Sequence, residues 1–292
     1  MQGHRPRTKV IAGAALALVF TFTAQAQNNR SFVATTGNDA NTCSASAFCR
    51  TFGRALAQTN PGGEIVVINS GGYGPATISQ PVVITAIGID ASITAASGDA
   101  LTINTTGNVT ITGLNLHGQG TASNGVEIQQ VGVLRLYNML IENFTNAGVA
   151  FEAAGNLAIY GSAINDDLNG LLLDNNSANA YVHDTSFNHN ATGVELFNGQ
   201  MTINDSSAAY NVAAFSVNNT GTMTLFNDQV TSNNIALVTS QFGNLYFANC
   251  LIANNTTAYT IVGGTMASTS PGTSLIVPGQ ASDGTLGTVT LK

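Results

Sequence analysis

Seven short apolar runs begin at Gly125, Gly148, Gly170, Gly193, Ala214, Ala236 and Ala258, at intervals of 23, 22, 23, 21, 22 and 22 residues. A period of this length marks a solenoid, because each repeat is a unit that cannot cover its own apolar side. The segment from Gly148 to Asn169 shows the plan. Val149 and Phe151 alternate inward, Ala153-Ala154-Gly155 turns the chain, and Leu157 and Ile159 alternate inward again. Gly161 marks a tight turn, Ala163-Ile164 forms a third run, and Asp166 to Asn169 lead back to Gly170. Period-two alternation in three runs predicts three strands per coil. Stacking places each strand about 4.8 Å from its copy in the next coil, paired in parallel, and fuses the inward columns into one aliphatic core. The outward face is expected to meet water, which explains why alternation survives. Two looser coils start near Ala76 and Ala100.

Two turn columns run in register with the strands. One reads Asn138, Gly161, Asp184, Asp205, Asn227, Asn249, and the other Phe144, Asp167, Asn190, Asn211, Asn233, Asn255. Asn, Asp and Gly tolerate left-handed backbone. Stacked asparagines also bond to one another along an axis. Both ends of such a stack need covering. Thr51 to Gln58 reads as a short helix with Phe52, Ala55 and Leu56 on one face, stopped by Asn60-Pro61-Gly62-Gly63. The Ser-, Thr-, Gly- and Pro-rich tail after Thr265 is expected to form an irregular cover, with Leu275-Ile276-Val277 and Val289 as its apolar part.

The domain plan follows: a signal peptide over 1–26, a cap over 27–63, coils over 64–264 and a C-terminal cap over 265–292. The signal rests on His4, Arg5, Arg7 and Lys9, the apolar run from Val10 to Phe22, and Ala24-Gln25-Ala26. That run is too short to span a bilayer, so no membrane span is expected. Beyond it, fifteen acidic residues face only Arg30, Arg50, Arg54, Arg135 and Lys292, a net of −10. Nucleic acid is excluded as a partner, since phosphate binding needs a basic face. Cys43 and Cys49 lie six apart and predict a disulfide in an oxidising, secreted setting, periplasmic or extracellular. Cys250 is left as a buried thiol.

The recurring plan of apolar-x-apolar-x-Asn, Ile-x-Asn-Asn and Gly-Val resembles the right-handed parallel β-helix repeat of the pectate-lyase-like superfamily. Leu136 to Val149, Val182 to Val194 and Phe247 to Ala258 match it best. The segments Phe32 to Asp39, Arg50-Thr51-Phe52 and Gly62 to Ile65 resemble the N-terminal cap of uncharacterised secreted bacterial members. The expected fold is therefore all-β: a single-stranded right-handed parallel β-helix with a capping helix. The resemblance further implies polysaccharide along the outward face of the sheet that starts at the Gly column. It is specific for fold and weak for activity, because such folds host many functions.

On that face one outward column reads Glu127, Ala150, Leu172, Glu195, Ser216, and the next Gln129, Glu152, Asp174, Phe197, Asn218. Glu152 and Asp174 fall on neighbouring coils, and carboxylates that close either share a proton or hold a cation. With Asp166 they form the candidate catalytic set, and with Asp167 a candidate calcium set. Glu127, Glu195, Phe197, Tyr137 and Tyr160 are the candidate ligand contacts. The catalytic pattern is incomplete. Arg135, the one base among the regular coils, points outward from the second sheet, and no Gly-His-Gly or Arg-x-Lys accompanies Asp166-Asp167. His183 and His189 sit in turn columns and read as surface residues. The expected function is thus a secreted, non-catalytic β-helix that contacts glycans or other cell-envelope components. The alternative is a calcium-assisted polysaccharide lyase, or a glycoside hydrolase, acting on an acidic polysaccharide. A pure surface scaffold is the third reading.

Overall fold

The computed structural model describes Gly3 and residues 27–269 and 274–288. Apart from Gly3, the expected signal peptide lies outside the described residues, as does Val289. The chain forms a parallel β-solenoid with three walls. The first wall contains Asn124–Gln130, Ala147–Phe151, Ala213–Val217 and Ile235–Thr239. The second contains Val133–Tyr137, Gly155–Tyr160, Thr222–Phe226 and Asn244–Ala248. The third is a separate ten-stranded sheet that includes Leu140–Glu142, Ala163–Asn165, Ser186–Asn188 and Ser207–Ala209. In two coils the turn between the first two walls vanishes, and single bent strands run over Asn169–His183 and Thr192–Asn204. Those walls therefore join into one 20-stranded sheet.

The register is the one the Gly column dictates. Val126 pairs with Val149, Val149 with Leu171, Leu171 with Val194, and Val194 with Phe215. All five are fully buried, as are Phe151, Phe187, Ile159 and Ile203. Burying each such side chain contributes about 2 kcal/mol, and no coil obtains that without its neighbours. The Gly column itself is steric. A Cβ on Gly148 would lie 2.4 Å from the Ile164 side chain and 2.8 Å from the Gly170 carbonyl.

Both turn columns are made as the repeat implies. Asn138, Gly161, Asp184, Asp205, Asn227 and Asn249 all hold positive φ, between 49° and 61°. In the other turn the left-handed residues are Asn143, Asp166, His189, Tyr210, Ser232 and Asn254, each one place before the buried column. That column is a continuous ladder. Each backbone N–H donates to the side-chain oxygen of the next rung: Phe144 to Asp167 (2.7 Å), Asp167 to Asn190 (2.9 Å), Asn190 to Asn211 (2.9 Å), Asn211 to Asn233 (2.9 Å) and Asn233 to Asn255 (2.8 Å). The amide nitrogens of Asn190, Asn211, Asn233 and Asn255 donate back to the carbonyls of Ile164, Phe187, Ala208 and Val230. The amides of Asn190, Asn211, Asn233 and Asn255 thereby find partners, as burial demands, while Asp167 Oδ2 is buried without one.

The ends differ from expectation in two respects. The helix spans Phe52–Gln58 with Thr51 as its N-cap, but Asn60-Pro61-Gly62-Gly63 does not stop it with a turn. Strand Thr59–Val67 takes those residues in as a bulge: it pairs with Asn28–Val33 at Thr59 and again from Glu64, and with Val82–Thr85 from Gly63. At a sheet's first rungs a proline loses little, since its missing N–H falls where pairing is already incomplete. The tail is not an irregular cover either. Thr265–Ser268, Leu275–Ile276, Ala281–Asp283 and Gly287–Thr288 extend the walls in parallel. The side chain of Gln280 supplies one further rung, accepting the Asn255 N–H at 2.9 Å. The Cys43–Cys49 disulfide is present, and Cys250 is a buried free thiol that burial pushes up to about 12. Such a thiol is inert as a nucleophile.

Candidate functional site

The first wall sets its outward residues in straight columns, one per coil. Glu127, Ala150, Leu172, Glu195 and Ser216 follow one another by register. This face does not meet water freely, contrary to the sequence expectation. Ala150 is 1% exposed, Leu172 8% and Ser216 8%. Ala147, Ala150 and Leu172 form a small apolar cluster outside the main core, with Phe197 packed against it. The wall thus presents a partly apolar strip, or trough, bordered by the two flanking turns. The bulge that sets Asp174 opposite Asn198, skipping Phe197, shapes one rim. Asn175, in the same rim, donates to the Glu152 carbonyl.

Two carboxyls stand at opposite ends of this floor, three coils or about 14 Å apart. Glu127 is half-buried, and Asn124 Nδ2 donates to both its Oε2 and Asp99 Oδ1, each at 3.0 Å. Asn146 Nδ2 in turn donates to Asn124 Oδ1 at 2.8 Å. Burial, then the negative charges of Asp99 and Glu152, push Glu127 up to about 7. A carboxyl poised there can give or take a proton at neutral pH. Glu195 is also raised by burial, countered by a hydrogen bond from Asn218 Nδ2 at 3.3 Å. Asn218 is itself held by the Ser240 hydroxyl. Asp99, Asn124 and Asn146 were missed at the sequence level. Asn124 and Asn146 border the Gly column on its upstream side, so reading that edge as part of the site would have found them.

The other expected residues separate. Asp167 is buried in the ladder, where its Oδ1 accepts the Phe144 N–H, so it does not join Glu152 and Asp174. Burial, with smaller contributions from Asp166 and Glu142, pushes it up to about 8. Asp174 accepts from Asn198 Nδ2 at 2.6 Å, and Glu152 stands exposed past the end of its strand. Asp166 is an exposed left-handed turn residue. Among the described residues no three His, Cys, Asp or Glu side chains gather as a metal site. The expected calcium set is thus not assembled among the described residues: Asp167 is committed to backbone and Asp174 to an amide.

Tyr137 and Tyr160 lie on the second wall, away from the trough, and stack face to face at 4.9 Å with 9° between planes. Their faces are spent on each other, which suits coil-to-coil stacking, about 1 kcal/mol per pair, rather than sugar binding. Tyr181 and His183 stack similarly at 6.3 Å. His183 Nδ1 lies 3.4 Å from Asp205 Oδ2, and His189 stacks on Tyr210. A second concavity of about 680 Å³ follows the turn between the second and third walls, lined by Asn138, Asp184, Asp205, Asn227, Ser186 and Ser207 among others.

With the walls and trough defined, a family model described as "Right handed beta helix region" matches residues 65–230. The chain belongs to this family. No curated protein matches this β-helix. Among solved structures it is similar to pectate lyase Pel9A, at 14% identity over 86% of this chain and 82% of that one, with a TM-score of 0.61. An alginate lyase from Paenibacillus sp. str. FPU-7 matches at 14% identity over 89% and 100%, with a TM-score of 0.60. XylC in complex with xylose matches at 10% identity over 79% and 71%, with a TM-score of 0.58. Likeness at these identities concerns the β-helix fold alone.

Proposed function

We propose that this protein is a secreted β-helix that binds polysaccharide along the trough of its first wall. The observation that carries the reading is the floor itself. Apolar Ala150 and Leu172, with Phe197 beside them, lie between half-buried Glu127 and Glu195. Sugar rings present apolar faces and hydroxyl edges, and this arrangement offers a surface for each. The solved neighbours include a pectate lyase and an alginate lyase, which supports a polysaccharide as the class of ligand. The disulfide supports an oxidising compartment. The acidic rim, with no Arg or Lys among the residues named on it, favours neutral chains over polyanions.

A catalytic reading has one specific support: Glu127 titrates near neutrality beside Asp99 and Glu152. In that reading Glu127 is the general acid or base, and no step runs through a cation. The test is incubation of the protein lacking residues 1–26 with neutral and acidic polysaccharides, with and without calcium. Binding, unsaturated ends and reducing ends are followed together. Binding that weakens in F197A, without product, supports the first reading. Product that disappears in E127Q supports the second. No binding to any polysaccharide overturns both.

A further inference from the structure

The turn between the second and third walls contains a buried column one place after its left-handed residues: Met139, Ser162, Thr185, Ser206, Asp228 and Cys250. Its polar members repeat one pattern. Ser162 Oγ donates to the Tyr160 carbonyl (2.9 Å), Thr185 Oγ1 to His183 (3.0 Å), Ser206 Oγ to Asn204 (3.0 Å) and Cys250 Sγ to Ala248 (3.2 Å). Each bonds the carbonyl two residues earlier. The hydroxyls also accept from the preceding coil, as Ser162 does from Met139 N–H (3.1 Å) and Ser206 from Thr185 N–H (3.2 Å).

Asp228 performs the accepting half: its Oδ1 takes the Ser206 N–H at 2.8 Å. Its Oδ2 is buried and has no hydrogen-bond partner. The column calls for a donor at that place, aimed at the carbonyl two residues back. A carboxylate has no proton to give, whereas a carboxylic acid has one. We infer that Asp228 is folded into this turn as a neutral acid whose O–H stands in for the Ser, Thr and Cys donors, so that the solenoid loosens here as Asp228 ionises.

The groups around it leave no cation to favour the charged form. Asp205 lies on the preceding coil, and its Oδ2 is shared with His183. Cys250 lies on the following coil. Burial pushes Asp228 up to about 7, against backbone hydrogen bonds that lower it and with Asp205 adding to the rise. The unfolded chain releases the same proton near the ordinary carboxylate value, about 4. Between about 4 and 7 the native state holds the extra proton, so this group's stability contribution falls as pH rises through that window and levels off above it.

The test compares melting temperatures of the wild type, D228N and D228S from pH 4.5 to 8.5. D228N keeps the acceptor and supplies a permanent donor, and D228S copies Ser206. The wild type is expected to lose about 5 °C relative to either variant between the two ends, with the curves converging at low pH. The infrared band of a protonated carboxyl at pH 6 should be weaker in both variants than in the wild type. Parallel curves, an unchanged band, or variants less stable at every pH would overturn the proposal. Should D228N fail to fold, D228S alone decides between these outcomes.

Discussion

Two regions of this molecule raise carboxyl groups, both chiefly by burial but in different settings. In the turns, Asp167 and Asp228 lie in closed columns, each with one oxygen committed to a backbone N–H and the other buried without a partner. In the trough, Glu127 and Glu195 are half-buried on a face that opens outward, held by the side-chain amides of Asn124 and Asn218. The turn acids serve the stack. The trough acids are held by groups that a ligand can replace. A raised carboxyl is therefore not by itself a mark of function; the difference lies in whether its partners are the protein's own backbone or side chains facing a concavity.

The comparison can be broken first at Asp167. In the ladder its missing amide donor corresponds to the bond that Asn190 makes to the Ile164 carbonyl. The native carboxyl keeps its proton to about 8, and the unfolded one loses it near 4. Stability from this group therefore falls as pH rises through that window. D167N is expected to gain on the order of 3 kcal/mol at pH 9 and almost nothing at pH 4, measured by denaturant unfolding. A pH-independent difference would contradict the ladder reading. Next in size, N211A leaves the Asn190 N–H buried without its acceptor and should cost about 2 kcal/mol, with affinity for polysaccharide unchanged. An equal loss of affinity would show that ladder and trough are not separable.

Smaller effects belong to the trough. F197A should weaken polysaccharide binding about tenfold, roughly 1.4 kcal/mol by calorimetry, while its melting temperature shifts little because the ring is only partly buried. E195Q should change stability by less than about 1 kcal/mol, while making binding less dependent on pH. If E195Q instead behaves like D167N, the distinction between the two regions fails.

Most of the stack could be read from the residues. The Gly column at 125, 148, 170 and 193 fixed the register because a side chain there meets the next coil. The ladder from Asn190 to Asn255 was legible because an amide recurs at one place in each successive coil. The trough was not legible. Leu172 and Ala150 point outward by alternation, and nothing local says that neighbouring side chains such as Phe197 pack over them. Asp167 misled for a related reason: position in a column shows which residues align, but not that a turn side chain folds inward. The strand through Pro61-Gly62-Gly63 was hidden because these residues form a bulge between the Asn28–Thr59 and Arg30–Glu64 pairs, where turn residues and strand membership coexist. The tie between Asp174 and Asn198 was also hidden, since sequence spacing carries no information about which amide a carboxylate prefers.

Gln280 closes the amide column with a side chain one methylene longer than its predecessors, reaching the last rung from the loop just before Ala281–Asp283. Removing that peg would leave the buried Asn255 N–H without its acceptor, while the Asn255 amide would keep the Val230 and Ala253 carbonyls. Gln280 is thus the stopper of the ladder.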